Sequence, residues 1–304
     1  MSATDPTMVP LGGGYSGETF LAEMAGERTV VRIYAENRRG TNAAEVDAAV
    51  LRLVHGLLPV PDVLEVRRGD GASGAPGLLV TSFLPGTPLD RLLPSAPDGL
   101  RRTIGERLGG LLARLAQMPM PRPGVFEDAD LHLGPLPPAL SGLPEWVDLH
   151  RDRGAFADWS QQDLAALGRV ADDAQVLLDR LDRACLVHSD FNPKNLLVDP
   201  DTGEVTGLVD WEFAHAGMPV TDLGNLLRFE RDPAFADAVL GVYTDRVPDA
   251  TAETLDQARA ADLFALVDLA ARRDHNPIAR RAHDLLLAIA RTGDVHTPLP
   301  GGAQ

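Results

Sequence analysis

The stretch LVHSDFNPKNLLVD (residues 186–199), with GLVDWE (207–212) shortly after it, contains the chain's most informative polar residues. Apolar residues at both ends of the first stretch enclose a loop that holds His188, Asp190 and Asn195. Short apolar runs of this kind predict buried strands, and a loop between strands is where folds commonly present chemically active side chains. This loop is therefore a candidate functional site.

The linker between the two stretches predicts a β-hairpin. Asp199-Pro200 and Thr202-Gly203 are turn-forming pairs, and a second short strand, 205–209, follows them. Pairing of the two strands would bring Asn195, at the start of the first, close to Asp210, at the end of the second. An amide oxygen and a carboxylate would then face a common point, which suits a hard cation such as Mg²⁺.

The spacing His-x-Asp-x-x-x-x-Asn is the catalytic-loop pattern of kinases. Because it is followed by Asp-Trp-Glu at 210–212, the sequence resembles the aminoglycoside phosphotransferase family of antibiotic and small-molecule kinases. The resemblance implies Asp190 as the catalytic base, and Asn195 and Asp210 as Mg²⁺ ligands. It also implies transfer of a phosphoryl group from ATP, or from GTP as the alternative, to a hydroxyl. A loop that only joins two strands is the other interpretation of this pattern.

The resemblance also implies an α+β, bilobal, protein-kinase-like fold. Residues 1–83 would form a nucleotide-binding lobe, a small antiparallel sheet with one helix. Residues 84–304 would form a larger, mainly helical lobe that carries catalysis and substrate binding, with the hinge at about 82–86. Local patterns predict strands within 7–34, and helices over about 42–55, 100–115, 161–183, 233–246, 252–273 and 277–292.

A glycine-rich segment, Gly12 to Gly17, lies between two predicted strands near the start of the chain. Glycines allow backbone N–H groups to approach a phosphate without Cβ clashes. We therefore predict that Gly13 and Gly14 contact the nucleotide and that Ser16 adds a hydroxyl donor. A loose hairpin is the alternative, although the β-β-α pattern that follows favours a phosphate loop.

The resemblance places Arg32 where kinases have a strand lysine that holds the phosphates. A guanidinium suits this role because it is permanently charged and binds phosphate oxygens in a fork. The alternative is an arginine on the solvated face of an edge strand. Asp47, on the following helix, takes the place of the family's glutamate, so we expect it to pair with Arg32 directly or through water.

The segment Leu78 to Gly86 resembles the hinge that binds adenine in this family. By position, the Ser82 carbonyl and the Leu84 N–H are expected to bond to the base. An apolar strand that ends in Pro-Gly is common, so this expectation depends on the other motifs.

Composition limits the possible classes of protein. The 304 residues are 44% hydrophobic and 24% charged, which is enough to bury a sizeable core. No run of about eighteen apolar residues exists, so no membrane span is expected. Residues 1–10 lack the pattern of a signal peptide, and the single cysteine, Cys185, fits a reducing cytoplasm.

The net charge of −16 argues against a nucleic-acid partner, which would need a basic patch. The acidity serves solubility, or it attracts a small cationic substrate. With the resemblance, it favours an antibiotic kinase that acts on aminoglycosides or on basic cyclic peptides such as capreomycin or viomycin. The opening GGGYSGET (12–19) is similar to that of such resistance kinases. A metabolite kinase of the choline, homoserine or methylthioribose type and a non-catalytic nucleotide-binding module are the alternatives.

Overall fold

A computed structural model of the chain describes residues 7–11, 18–24, 26–34, 39–140 and 142–300. The chain divides into two compact units. The first consists of residues 1–96, 125–134 and 193–214, and the second of residues 97–124, 135–192 and 215–304. The first is built mainly from strands and the second mainly from helices, so the predicted α+β class is confirmed. The predicted division at residues 83 and 84 stays a prediction.

Strands and helices alternate irregularly along the chain. The strands are β1 Thr7–Pro10, β2 Glu18–Met24, β3 Glu27–Tyr34, β4 Val63–Arg67, β5 Gly77–Ser82, β6 Thr87–Pro88, β7 Pro119–Met120, β8 Gly124–Phe126, β9 Leu133–Gly134, β10 Ala184–Val187, β11 Leu196–Val198, β12 Val205–Leu208 and β13 His215–Gly217. The α-helices are α1 Ala43–Val54, α2 Leu89–Leu92, α3 Asp98–Ala116, α4 Leu143–His150, α5 Gln161–Leu178, α6 Thr221–Leu227, α7 Pro233–Arg246, α8 Thr254–Ala271 and α9 Pro277–Thr292.

An antiparallel sheet of order β1-β2-β3-β5-β4 forms the main part of the first unit. β3 lies in the middle, because it pairs with β2 on one side and with β5 on the other. Helix α1 packs against β4 and β5. Its apolar residues recur at intervals of three and four, so Ala44, Ala48 and Val54 are buried on one face.

The predicted hairpin is confirmed in the first unit. Leu196 lies opposite Leu208, and β6 adds a third strand on the other edge of β11. The chain before β6 is tied to the hairpin, since the Thr206 hydroxyl donates to the Pro85 carbonyl at 2.6 Å. Gly86 has a φ of +142°, and a Cβ there would lie 2.5 Å from Thr206 Oγ1, so this turn requires glycine.

The second unit is a helical assembly with a short antiparallel ribbon. In it, β10 pairs with β7 and with β13. Helix α3 packs along α7, while α8 packs against α5, α6 and α9. None of the helices in the described part of the chain has the length and apolar character needed to cross a bilayer.

Candidate active site

The end of the β11–β12 hairpin brings together the two predicted Mg²⁺ ligands of the first unit. The Val209 N–H donates to the Asn195 carbonyl at 3.0 Å, directly beyond the last strand pair. The backbones of Asn195 and Asp210 therefore lie at the same end of the hairpin. Asp210 has a φ of +67°, which is strained for a residue with a Cβ, and such strain is concentrated at functional sites.

Arg32 on β3 forms two ion pairs with the segment that follows this hairpin. Its Nη1 lies 2.9 Å from Asp210 Oδ1, and its Nη2 lies 2.6 Å from Glu212 Oε2. Burial lowers the pKa of the Arg32 guanidinium, but the surrounding acidic groups raise it by more, so the net shift is upward. Because β3 is a central strand and the Arg32 side chain is only 14% exposed, the solvated edge-strand interpretation is wrong.

Asp47 has different partners from the expected one. Its carboxylate accepts a hydrogen bond from the Tyr34 hydroxyl at 2.7 Å and a two-pronged pair from Arg39 at 2.7 and 3.0 Å. Its effect on Arg32 is a charge interaction through space. Both carboxylate oxygens of Asp47 are bonded to Tyr34 and Arg39. The expected direct Arg32–Asp47 pair is therefore not formed, and Arg32 pairs with Asp210 and Glu212 instead.

Glu212 is the residue that the sequence reasoning missed. It is 6% exposed, although an isolated buried carboxylate is costly unless it is paired. The only signal was its place two residues after Asp210, in the same short polar segment. That spacing gives Arg32 two carboxylates from one short segment.

The loop before Asp190 belongs to the second unit and is held by Asp222 of α6. The Asp222 carboxylate accepts hydrogen bonds from the backbone N–H groups of His188 and Ser189, both at 2.8 Å. Burial raises the pKa of Asp222 to about 7, against the lowering effect of these two bonds. Ser189 has a φ of +65°. Asp222 therefore stabilises a strained loop conformation; it does not cap α6, whose N-cap is Val220.

The carboxylate of Asp190 is oriented by its neighbours in the loop. Its backbone N–H donates to His188 Nδ1 at 3.2 Å, and the Asn192 amide donates to its Oδ1. A ring nitrogen that accepts carries no proton. His188 is fully buried and makes an edge-to-face ring contact with Phe191, so it stabilises the loop.

The remaining predicted nucleotide contacts divide into two groups. Gly13, Gly14 and Ser16 lie outside the described residues and stay predictions. At the predicted hinge, the hydroxyl of Ser82 accepts from the Asp62 N–H at 2.8 Å, which fixes the end of β5. The Leu84 N–H has no acceptor among the described residues, so this donor remains available.

Comparison with known proteins identifies the family. The model of the phosphotransferase enzyme family (APH) matches residues 7–255. A curated mouse protein, acyl-CoA dehydrogenase family member 10, is 26% identical over 217 residues, which are 69% of this chain. The match spans only 19% of that protein's length.

Solved structures of similar fold include aminoglycoside phosphotransferases. The apo form of a thermostable mutant of APH(4)-Ia has a TM-score of 0.67 and 19% identity, and 96% of each chain is covered. A further variant of this thermostable mutant has been solved in a ternary complex with ADP and hygromycin B, with a TM-score of 0.65, 18% identity and coverage of 96% of this chain and 95% of that one. The GDP complex of aminoglycoside 2'-phosphotransferase-IIIa has a TM-score of 0.69 and 17% identity over 96% of this chain and 94% of that one.

At these identities the solved structures establish a common, protein-kinase-like fold. The family model covers most of the chain, including the hairpin and the Asp190 loop. The chain belongs to the phosphotransferase enzyme family.

Proposed function

We propose that the protein is an ATP-dependent O-phosphotransferase that phosphorylates a hydroxyl of a small cationic molecule in the cytoplasm. The observation that carries the proposal is the end of the β11–β12 hairpin, where the Val209 N–H donates to the Asn195 carbonyl and the next residue, Asp210, pairs with Arg32. This combination of oxygen ligands and a strand cation is the one that phosphoryl transfer requires.

The residues at the hairpin end fit Mg²⁺. Carboxylate and amide oxygens are the hard ligands that this ion prefers. The Asp210 carboxylate already has a cationic group, the Arg32 guanidinium, 2.9 Å from one of its oxygens. When bound, Mg²⁺ supplies neutralisation of the charge on the phosphate oxygens.

We assign distinct roles to the chain's own residues. Arg32 would hold the phosphates of the nucleotide, with Glu212 fixing its position. Asp190 would orient the acceptor hydroxyl and take its proton as the oxygen bonds to the γ-phosphorus and ADP leaves. The Ser82 carbonyl and the Leu84 N–H would bind the base, and the glycine loop would cover the phosphates.

We further propose an antibiotic as the substrate, either an aminoglycoside or a basic cyclic peptide of the capreomycin or viomycin type, so that phosphorylation confers resistance. The net charge of −16 supports a cationic acceptor, because an acidic protein attracts cations and repels anions. Relatives of the same fold bind hygromycin B, ADP and GDP. GTP is therefore the alternative phosphoryl donor.

A nucleotide-coupled assay tests both levels of the proposal. ADP and GDP release would be measured with ATP or GTP against aminoglycosides, basic cyclic peptides and amino alcohols. Turnover with a cationic antibiotic supports the full proposal. Turnover only with choline, homoserine or methylthioribose would identify a metabolite kinase, and binding of nucleotide with no turnover on any acceptor would contradict the proposed activity.

A further inference from the structure

A close contact between α6 and α8 in the second unit gathers arginines that the proposed function does not use. A Cβ at Gly224 of α6 would lie 2.1 Å from the Ala258 carbonyl oxygen of α8, so glycine allows these helices to touch. One helical turn further along are Arg228 and Asp262. The contact brings them together, and Arg228 donates to both oxygens of Asp262, from Nη2 at 2.7 Å and from Nε at 2.9 Å.

A small cavity lies beside this ion pair. Arg228, Arg231, Arg259 and Asp262 form its polar wall. Residues of α8 and α9, together with Val295, form its apolar wall. Its volume is about 10 Å³, which is close to the least that holds one water molecule. The cavity therefore has room for one compact occupant.

The charges on the polar wall are unbalanced. Asp262 neutralises Arg228 and also accepts from the Asn225 amide at 3.0 Å. Arg231 donates from Nη1 to neutral backbone carbonyls at 2.7 to 3.2 Å. Arg259 has no hydrogen bond or ion pair with any residue of the described chain. The guanidinium groups of Arg231 and Arg259 thus adjoin the cavity without an ion pair to a carboxylate of the described residues, because the carboxylate in the cavity wall, Asp262, is bonded to Arg228.

The Nε–H groups of Arg231 and Arg259 add a second, geometric observation. Both nitrogens are buried and have no hydrogen-bond partner among the described groups. A guanidinium can only donate, and a buried donor without an acceptor costs free energy. A water molecule would accept these bonds and leave the charges unbalanced, whereas an anion would accept the bonds and balance the charge.

The pKa shifts of Arg231 and Arg259 agree with an unbalanced positive charge beside the cavity. Burial, and then the neighbouring charge of Arg231, lower the pKa of Arg259 to about 10. Burial likewise lowers the pKa of Arg231. Asp262, Asp256 and Asp294 act on Arg259 in the opposite direction and do not cancel the effect of burial.

We propose that this cavity binds one compact inorganic anion of the size of chloride, and that Arg231 and Arg259 donate their Nε–H groups to it. The anion links the segment that follows α6 to α8. It stabilises the second unit and takes no part in phosphoryl transfer, so the proposal stands or falls separately from the enzymatic one.

Thermal unfolding in sodium chloride and in sodium gluconate at matched ionic strength tests the site. Chloride at ten times its dissociation constant should raise the unfolding midpoint by about 3 °C, in a saturable manner. Arg259→Gln should abolish the difference between the two salts. Arg169→Gln, on the exposed face of α5, is the matched control and should keep the full difference.

Two results would overturn the proposal. One is an equal midpoint in both salts for the wild-type protein, and the other is an unchanged chloride response in Arg259→Gln. Crystals of the wild-type protein in bromide give a readout that does not depend on a variant. An anomalous peak between Arg231 and Arg259 supports the site, and a featureless cavity at high bromide contradicts it.

Discussion

The guanidinium of Arg32 is anchored by Glu212, whose Oε2 lies 2.6 Å from Nη2, and not by the acidic residue of helix α1. Asp47, the acidic residue at that place, binds Tyr34 and Arg39. The acidic partner of Arg32 therefore lies in the segment that also carries Asp210, and not in helix α1. This relationship has consequences for nucleotide binding and for stability.

Replacing Glu212 with alanine should weaken nucleotide binding and destabilise the first unit. Removal of one partner leaves a buried guanidinium short of one counter-charge, at a cost of about 2–3 kcal/mol. We expect the dissociation constant for ATP to rise about tenfold, the equivalent of about 1.4 kcal/mol, measured by calorimetry. Glu27→Ala, at an exposed position of the same strand as Arg32, is the control and should change neither quantity. Unchanged ATP affinity in Glu212→Ala would refute the anchoring role.

Asp190→Ala should fold normally and bind nucleotide, yet lose nearly all phosphorylation. A positioned general base contributes typically a factor of about 10² to 10⁴. The measurement is kcat with the best acceptor, together with ATP affinity and a thermal melt. Asp173→Ala, on the exposed face of α5, removes the same charge and should retain full activity. Normal turnover by Asp190→Ala would exclude the assigned role.

Asp210→Asn should raise the Mg²⁺ concentration needed for half-maximal activity. An amide replaces a charged oxygen ligand, so the ion loses its strongest protein partner at the hairpin end. We expect a shift of about tenfold or more in a Mg²⁺ titration. Glu204→Gln changes an exposed carboxylate of the same hairpin and should leave the titration unaltered. An identical Mg²⁺ requirement in Asp210→Asn would show that the ion binds elsewhere.

Asp222 should make stability depend on pH in a defined direction. Its pKa rises from 3.8 to about 7 because it is buried. Between these values the native state binds this proton more than the unfolded state does, so the free energy of unfolding falls as the pH rises from 3.8 to about 7. Urea unfolding across this range should show a steeper decline for the wild type than for Asp222→Asn. Parallel curves for the two proteins would contradict the raised pKa.

Cys185 should be chemically inert in the folded protein. Its side chain is fully buried on β10, and burial raises the pKa of its thiol to about 12. Only the thiolate reacts with a disulfide reagent, so labelling should be absent in the native state and complete in guanidinium chloride. Rapid labelling of the native protein would mean that β10 opens frequently.

The local structure of the first unit could be read from the sequence because it depends on local chemistry. Helix α1 extends from Ala43 to Val54, within the predicted range, since its apolar period is regular and Pro59 follows it. The hairpin was recognisable from its turn pairs. By contrast, β6 has two residues and pairs with β11 across a long sequence separation, so no local pattern marks it.

The partners of the charged side chains could not be predicted in the same way. The motif identified Arg32 and Asp210 separately, but their pairing depends on which carboxylates lie within reach after folding. Arg39 shows the difficulty: it lies four residues before helix α1 with no pattern that marks its partner, yet its guanidinium binds both oxygens of Asp47. Burial of Glu212 likewise follows from tertiary packing, which residue spacing does not encode.

The hydrogen bonds of Tyr34 and Arg39 to Asp47 separate helix α1 from the group that holds Arg32. Protein kinases are switched by swinging a helix whose glutamate holds the strand lysine. In this chain, helix α1 is hydrogen-bonded to the end of β3 through Asp47 and Tyr34. Displacement of α1 would leave the ion pair between Arg32 and Glu212 intact. The position of Arg32 therefore depends on its pairs with Asp210 and Glu212, and not on a direct contact with Asp47 of α1.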